Sequence, residues 1–314
     1  MSQTVSLPSH IPVLLNEVIE GLQLRAGEYI VDCTIGLGGH ALAILERISP
    51  SGKFLGIDAD PQALKIAEMK LNEYREEVTL VNDNFANIEA ICTKYHFHPV
   101  DGILFDLGVS SLQLDTAKRG FSFQHDAPLD MRFDPKQELS ASDIVNTFPQ
   151  EDLVYILREY GEERYSRKLA RLIVQNRPIS TTTQLAQLVK QVLGNKYSRI
   201  HSATKTFMAL RIAVNSELQN LTSALKQCIN ILRPSGRLVT ITYHSLEDRI
   251  VKQFMQRESS GCLCPPKTII CCCGHVPALK LISRKVIRPT SLEIESNQRS
   301  RSAKLRIAER LLTK

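Results

Sequence analysis

The sequence predicts an α/β protein whose mainly parallel, Rossmann-like sheet is interrupted by an inserted all-α domain. Over the first third of the 314 residues, short apolar strands alternate with amphipathic helices. A long stretch with only helical patterns follows, and an apolar strand returns near residue 236. Because successive parallel strands need crossover connections, this order predicts a doubly wound sheet with right-handed crossovers.

Each predicted element has a local signal. Four short apolar runs predict strands at 29–33, 53–57, 78–81 and 102–105. A helix is predicted from His40, and another from Asp60, with Asp60 as N-cap and Pro61 in the first turn. The inserted part shows helical patterns at 141–146, 151–160, 166–175 and 182–193. One long amphipathic helix is then predicted over 204–232, followed by a strand at 236–243.

These elements divide the chain into a Rossmann-like domain in two parts, 1–112 and 204–314, around the helical insertion 113–203. The second part contains a cysteine-rich loop (262–275) and a basic tail (280–314). A composition of 43% hydrophobic and 23% charged residues excludes a mainly disordered or fibrous chain. No apolar run reaches the roughly 20 residues of a membrane helix, so we expect a cytoplasmic protein that does not enter the membrane.

The formal charge of +6 is distributed unevenly. Residues 280–314 hold ten Lys/Arg and three Glu, whereas the other 279 residues are close to neutral, with 29 basic and 30 acidic side chains. A neutral body with a basic tail suggests a polyanionic partner. A solvated tail that keeps the protein soluble would have the same composition.

Five of the eight cysteines fall within twelve residues: Cys262, Cys264, Cys271, Cys272 and Cys273. Two C-x-C pairs, Cys262/Cys264 and Cys271/Cys273, offer four thiolates for tetrahedral zinc coordination. The spacing differs from the usual C-x-x-C, and a cysteine-rich surface loop without metal is the alternative. The sequence leaves this open, and we assign no metal ligand to the catalytic site.

A glycine-rich turn between the first strand and the first helix is the main candidate site. Gly36, Gly38 and Ala41 fit the dinucleotide fingerprint G-x-G-x-x-[GA], and Asp58 follows at the end of strand two. An acidic residue there accepts hydrogen bonds from ribose hydroxyls in either NAD or S-adenosylmethionine. The turn and Asp58 therefore do not distinguish the two cofactors.

Three further features favour S-adenosylmethionine. Asp32 precedes the turn, where it could meet a cationic amino group. Asp83 and Phe85 follow strand three, where a base could be bound. Strand four ends in the polar segment 106–111, at the sheet edge where open α/β proteins bind ligands.

Seven motifs, in this order along the chain, resemble the signatures of the MraW/RsmH family. They are HIPVLL at 10–15, GLGGH at 36–40, DLGVSS at 106–111, RGFSF at 119–123, LDMR at 129–132, GEER at 161–164 and YHSLEDR at 243–249. The likeness resumes with LRIAER at 305–310. Members of this family are bacterial methyltransferases that act on N4 of a cytidine in 16S ribosomal RNA.

The resemblance implies a class I S-adenosylmethionine-dependent methyltransferase fold with a helical insertion. The cofactor-binding residues that it implies are Gly38, Gly39, His40, Asp58 at the ribose, Phe85 beside the adenine, Asp106 and Gln113. Leu112 stands where the family often has proline, so the loop presenting Gln113 is expected to be less rigid.

Asp106, Ser110 and His244 are the candidate catalytic residues, with Ser111 beside them. Each has a structural alternative: Asp106 and the serines could cap turns, and His244 could be a hydrogen-bonded core histidine. In the insertion, Asp130 and Arg132 could hold the target nucleotide or form a loop ion pair. Phe121 and Phe123 could likewise stack on a base or anchor the loop.

The sequence therefore predicts methyl transfer from S-adenosylmethionine to a cytidine N4 of 16S ribosomal RNA, either free or in the small subunit. Acceptors such as Asp106 would bind the N4 hydrogens. The insertion and the basic tail would hold the RNA. The tail residues to test are Arg299, Arg301, Lys304 and Arg306. A nicotinamide-dependent oxidoreductase and a non-catalytic RNA-binding assembly factor are the alternatives. The oligomeric state stays open, a homodimer included.

Overall fold

The structure is a computed structural model that describes residues 11–312 apart from 195–200, 266, 267 and 269. The first residue of the HIPVLL motif, His10, lies outside the described residues. The described part forms two compact units. One comprises the residues up to Gly108 and those from Asn220 onward, and the other comprises Val109–Gln219.

The first unit contains one seven-stranded sheet. Its strands are β1 (Tyr29–Asp32), β2 (Lys53–Asp58), β3 (Val78–Asn82), β4 (Val100–Asp106), β5 (Leu232–Thr242), β6 (Leu279–Leu281) and β7 (Lys304–Arg310). Their order is β3-β2-β1-β4-β5-β7-β6. The first five strands pair in parallel, and β7 pairs antiparallel with both β5 and β6. The predicted Rossmann-like, mainly parallel sheet is confirmed.

Thirteen α-helices lie within the described residues. In chain order they are α1 (Leu15–Leu22), α2 (Gly39–Ile48), α3 (Pro61–Lys70), α4 (Ile88–Lys94), α5 (Ser111–Asp115), α6 (Ala141–Thr147), α7 (Gln150–Tyr155), α8 (Ser166–Gln175), α9 (Thr182–Leu193), α10 (Thr204–Asn215), α11 (Glu217–Ile231), α12 (Ser245–Glu258) and α13 (Ser291–Ser296). Within that part of the chain, none of them is long and apolar enough to cross a bilayer.

The core of the first unit covers both faces of the sheet. Neighbouring residues of β1, Ile30 and Val31, belong to different buried clusters, as do Phe54 and Leu55 of β2. Successive side chains of a strand point to opposite faces, so the two clusters are the two sides of the sheet. A parallel sheet is stable only when both faces are covered, which explains why its strands are continuously apolar.

The second unit is all-α and has its own core. Leu153, Leu169, Leu185 and Leu210 belong to one buried cluster. The helices predicted at 141–146, 166–175 and 182–193 are confirmed within a residue. The region predicted as a helix over 151–160 is α7, which continues as a π-helical turn over Ile156–Tyr160.

The long helix predicted over 204–232 is wrong. Ser216 adopts a left-handed conformation with a φ of 50°, which ends α10 and separates it from α11. Four buried side chains of α10 belong to the cluster of the second unit, namely those of Phe207, Ala209, Leu210 and Val214. That unit therefore begins before the predicted insertion 113–203 and ends after it.

The predicted basic tail is folded into the sheet. Residues 304–310 form β7, in which Leu305 and Ile307 are buried, whereas Lys304 and Arg306 are only partly exposed. Arg306 Nε donates to Asp248 Oδ1 at 2.8 Å, and Lys304 Nζ lies 3.3 Å from Asp248 Oδ2. The segment 280–314 is therefore more than a basic tail, because the alternating apolar residues make 304–310 a strand of the sheet.

Candidate active site

The glycine turn joins β1 to α2 and needs unusual backbone angles. Gly36 and Gly38 have φ values of 52° and 73°, in the left-handed region where residues with a Cβ are strained. A Cβ on Gly39 would lie 2.7 Å from Pro12 Cγ, so the first turn of α2 also requires glycine. The turn therefore needs glycine for structural reasons, and the contact of Gly38 and Gly39 with a cofactor stays a prediction.

Asp58 is bound to this turn through its carboxylate. Gly36 N–H donates to Asp58 Oδ2 at 2.9 Å, and Asp60 N–H donates to Oδ1 at 2.8 Å. The two backbone donors fix the orientation of the carboxylate at the carboxyl end of β2. The structure therefore brings together two predicted features that lie 22 residues apart.

His40 is buried in the first turn of α2. Its Nε2 lies 2.9 Å from the carbonyl oxygen of Val13, and its Nδ1 lies 3.7 Å from Asp106 Oδ2. A hydrogen bond to a carbonyl requires a proton on Nε2, so Nδ1 is the ring nitrogen that faces Asp106. His40 and Asp106, both predicted at the site, are neighbours at the sheet edge.

Asp106 ends β4 and is oriented by two other side chains. Tyr243 Oη donates to Asp106 Oδ1 at 2.7 Å, and the Asp106 N–H donates to Thr34 Oγ1 at 2.6 Å. Gly108 has a φ of 105°, and a Cβ there would lie 3.3 Å from the Tyr243 ring. Burial raises the pKa of Asp106, whereas His40 and the Tyr243 hydroxyl lower it.

Asp32, Asp58 and Asp106 bring three carboxylates to the ends of adjacent strands. Asp32 is almost fully buried and accepts hydrogen bonds from Thr34 N–H at 3.0 Å and from the Thr34 hydroxyl at 3.4 Å. Burial raises its pKa to about 7, and the charges of Asp106 and Asp58 contribute to the rise. The edge of the sheet beside the glycine turn is therefore strongly electronegative.

Replacing Asp32 by asparagine is expected to stabilise the protein at pH 8. The folded state keeps the Asp32 proton up to about pH 7, whereas an unfolded aspartate loses it near pH 4. The free energy of unfolding of the wild type therefore falls as the pH rises from about 4 to 7. Each unit of difference between the folded and unfolded pKa of Asp32 corresponds to about 1.4 kcal/mol, so the total loss is a few kcal/mol. Urea unfolding at pH 5 and 8 should show the advantage of Asp32→Asn growing with pH. The prediction is contradicted if the gain in unfolding free energy is the same at both pH values, or if the exposed control Glu68→Gln shows an equal gain.

Phe85 and Asp83 follow β3 and are held in place locally. Asp83 Oδ1 accepts hydrogen bonds from Asn84 N–H at 2.7 Å and from the Asn87 side chain at 2.9 Å. The partly exposed ring of Phe85 packs edge-to-face on Phe105, the residue before Asp106, with centroids 5.6 Å apart. The aromatic surface predicted for a base is thus anchored to the strand that ends in Asp106.

His244 serves as the N-cap of α12. Its Nδ1 accepts from Glu247 N–H at 3.5 Å, and Glu247 Oε2 accepts from the His244 N–H at 3.3 Å, which makes a reciprocal capping box. Nε2 lies 3.0 Å from Glu247 Oε1 without hydrogen-bond geometry. His244 is therefore a helix cap with one ring nitrogen that makes no hydrogen bond, and its catalytic role stays a prediction.

In the second unit, the predicted site residues make local contacts with one another. Ser110 Oγ accepts from Gln113 N–H at 3.2 Å, and Gln113 Oε1 accepts from Ser110 N–H at 3.0 Å, which caps α5. Arg132 binds Asp130 bidentately, with distances of 2.8 and 3.0 Å. Both pairs follow the structural alternatives stated above, and their roles toward ligands stay predictions.

The phenylalanines of the RGFSF motif are packed inside the second unit. Phe121 stacks on Phe133 with centroids 5.6 Å apart, and Phe123 stacks on His201 at 4.5 Å and meets Phe207 edge-on at 5.1 Å. These contacts are those of loop anchors.

Two residues at the edge were not predicted as site residues. Thr34 connects Asp32 to Asp106 through its hydroxyl, and Tyr243 holds the Asp106 carboxylate. Thr34 lies inside the turn segment and Tyr243 opens the YHSLEDR motif, so both were visible in the sequence. Their partners are 72 and 137 residues away, and no local pattern indicates such contacts.

Comparison with known proteins connects this geometry to a family. The family model described as "MraW methylase family" matches residues 8–311. The chain is 55% identical over 303 residues to "Ribosomal RNA small subunit methyltransferase H" of Dehalococcoides mccartyi, covering 96% of this chain and 87% of the relative. Proteins of the same name in Thermomicrobium roseum and Clostridium botulinum are 51% and 48% identical over 306 residues, with 96% of this chain and 94% and 99% of the relatives covered. A match along nearly the whole length shows that the chain belongs to the MraW methylase family.

Proposed function

We propose that this protein transfers a methyl group from S-adenosyl-L-methionine to N4 of a cytidine in 16S ribosomal RNA. Family membership supports methyl transfer, and the name shared by the relatives supports a small-subunit ribosomal RNA substrate. The observation that carries the proposal is the set of three aspartates beside the glycine turn, Asp32, Asp58 and Asp106.

The charge of this edge fits S-adenosylmethionine better than a dinucleotide. S-adenosylmethionine carries positive charge on its sulfur and amino group, which nearby carboxylates attract. NAD would bring two phosphates to an edge where the charges of Asp58 and Asp106 already raise the pKa of Asp32. This difference disfavours the nicotinamide-dependent alternative.

The proposed cofactor contacts follow from the groups that each residue offers. Gly38 and Gly39 allow close approach to the backbone, and Asp58 would accept hydrogen bonds from the ribose hydroxyls. Asp32 would pair with the amino group, Phe85 would lie beside the adenine, and His40 and Gln113 would complete the contacts. When bound, S-adenosylmethionine supplies a methyl group activated by a positively charged sulfur.

Asp106 is the proposed acceptor for the hydrogens of the target amino group. The lone pair of cytosine N4 is delocalised into the ring, so an acceptor that binds an N4 hydrogen favours the pyramidal, more nucleophilic form. Tyr243 occupies one oxygen of Asp106, and a carboxylate has about four acceptor positions in total, which leaves room for an amino hydrogen. The base must also be unpaired or flipped out of a helix before its amino group can be reached.

Arg299 and Arg301 are the proposed tail residues that contact RNA. Arg299 and Arg301 are exposed in the turn before β7, whereas Lys304 and Arg306 of β7 are only partly exposed. Replacing both with glutamine should weaken RNA binding and reduce the salt dependence, by a slope of about 0.7–0.9 per lost phosphate contact. The control variant Arg75→Gln, at a highly exposed arginine of the first unit, should bind RNA normally. RNA titrations at several salt concentrations measure the affinity and its salt dependence. If the slope of affinity against salt concentration is unchanged, the segment that contains Arg299 and Arg301 does not contact RNA.

The proposed function is tested by mass spectrometry of 16S ribosomal RNA from cells that lack the protein. One N4-methylcytidine should be missing and should return when the wild-type protein is supplied, but not when Asp106→Ala is supplied. A retained modification in the deficient cells would contradict the proposed substrate. Return of the modification with Asp106→Ala would contradict only the role of Asp106.

A further inference from the structure

Four cysteines of the loop between α12 and β6 bring their sulfur atoms together. The Sγ atoms of Cys262, Cys264, Cys271 and Cys273 all lie within 4.8 Å of one another. Cys262 and Cys271 are 3.4 Å apart, Cys271 and Cys273 are 3.5 Å apart, and the pairs 262/273 and 264/271 are each 3.9 Å apart. The two C-x-C pairs thus converge on one point, although a cysteine of one pair is at least seven positions along the chain from any cysteine of the other.

These distances match four ligands of one metal ion. Zinc binds thiolates at about 2.3 Å in tetrahedral geometry, which places neighbouring sulfurs about 3.8 Å apart. A disulfide instead requires about 2.05 Å between sulfurs. All five cysteines of the loop are free, and the sulfur atoms of Cys262, Cys264, Cys271 and Cys273 are spaced as the ligands of one metal ion would be.

Backbone amides donate to the sulfur atoms of this cluster. Cys264 N–H donates to Cys262 Sγ at 3.4 Å, and Cys272 N–H donates to Cys264 Sγ at 3.4 Å. Leu263 N–H donates to Cys273 Sγ at 3.3 Å. Such donors stabilise the negative charge of thiolates, and hydrogen bonds to ligands are a regular feature of metal sites.

The loop has no apolar core to fix its shape. None of the residues of 259–277 that the structure describes is buried, and Ile270 is 80% exposed. Its two ends meet, because Ala278 N–H donates to the carbonyl of Glu258 at 2.8 Å. A loop without buried side chains requires another source of order, which a metal ion provides in small cysteine-rich segments.

We propose that Cys262, Cys264, Cys271 and Cys273 bind one structural Zn²⁺ ion. Four protein ligands leave no open position for a substrate, so the ion fixes the loop and takes no part in methyl transfer. Cys272 is outside the set of four, although its Sγ lies 4.0 Å from that of Cys264. The proposal goes beyond the proposed function and does not depend on it.

Metal analysis of the full-length protein, purified under reducing and oxygen-free conditions, tests the site. One zinc per chain is expected, and exchange with Co²⁺ should give the visible absorption of a tetrahedral thiolate complex. Cys262→Ser and Cys271→Ser should each weaken zinc binding by more than about a hundredfold. The matched control Cys272→Ser, in the same loop, should keep one zinc per chain and the same Co²⁺ spectrum.

A second measurement tests the structural role. Removing zinc with a chelator should accelerate proteolytic cleavage within 259–277 in the wild type and in Cys272→Ser, while the rest of the chain stays protected. The proposal is overturned if the reduced protein takes up no zinc, or if Cys272→Ser loses the metal as Cys262→Ser does. Stoichiometric iron in place of zinc, or disulfides between these cysteines in protein isolated without oxygen, would also overturn it.

Discussion

Replacing Asp106 by alanine is expected to slow methyl transfer by about a hundredfold or more. The change removes the proposed acceptor for the N4 hydrogens, and it leaves the Tyr243 hydroxyl without its partner. Loss of one oriented group that stabilises a transition state typically costs a factor of about 10²–10³. Single-turnover rates at saturating cofactor and RNA measure the effect directly. Turnover at the wild-type rate would refute the placement of the reaction centre at Asp106.

Tyr243→Phe is the control that separates positioning from chemistry. The Tyr243 hydroxyl lowers the pKa of Asp106 against the effect of burial, so its removal should move Asp106 ionisation to higher pH. Because the proposed acceptor is the ionised carboxylate, the acidic limb of the pH–rate profile should move upward in Tyr243→Phe. Most of the rate should return at high pH, whereas Asp106→Ala should stay slow throughout. A uniform loss at every pH would instead indicate a purely structural role for Tyr243.

Asp58→Ala is expected to weaken the binding of S-adenosylmethionine by at least about a hundredfold. The Asp58 carboxylate would accept hydrogen bonds from two ribose hydroxyls, and the alanine variant would lose both of them. A hydrogen bond to a charged group is worth about 1.5–3 kcal/mol. The change also releases the Gly36 N–H and the Asp60 N–H that hold the glycine turn. Titration calorimetry measures the dissociation constant, and RNA affinity should be unaffected.

Two further variants serve as controls for the cofactor affinity of Asp58→Ala. Asp58→Asn keeps the shape and one acceptor oxygen, so it should bind the cofactor more tightly than Asp58→Ala. Glu68→Ala removes an exposed carboxylate of α3 and should bind like the wild type. If Asp58→Ala unfolds at the same temperature as the wild type and keeps its affinity, the ribose contact is wrongly assigned.

The sequence predicts the strands β1 to β4 and the glycine turn well, because the residues that determine them are close together in the chain. β1 to β4 are runs of apolar residues that need burial on both faces, and the glycine turn has three glycines within four residues. Both signals lie within a few residues and require no knowledge of distant partners. For the same reason, the sequence alone is sufficient to assign Asp58 and the glycine turn to one site.

The errors concern segments whose neighbours are distant in the chain. The composition of 280–314 indicates a basic tail, and nothing near residues 304–310 points to their partner strand β5, which lies about 70 residues earlier. The break at Ser216 has no glycine or proline to mark it. The capping of α12 by His244 depends on Glu247, three residues later, and that spacing is a signal that could have been found.

The position of β7 makes completion of the sheet depend on the synthesis of residues 304–310. This last strand lies between β5 and β6, and β6 pairs with no other strand in the described part of the chain. A nascent chain that ends before residue 304 has an open edge on β5 and a β6 without a partner, and open edges promote aggregation. The catalytic unit therefore cannot finish folding during translation until residues 304–310 have been made. Loss of this short segment should be more harmful to solubility than its length suggests.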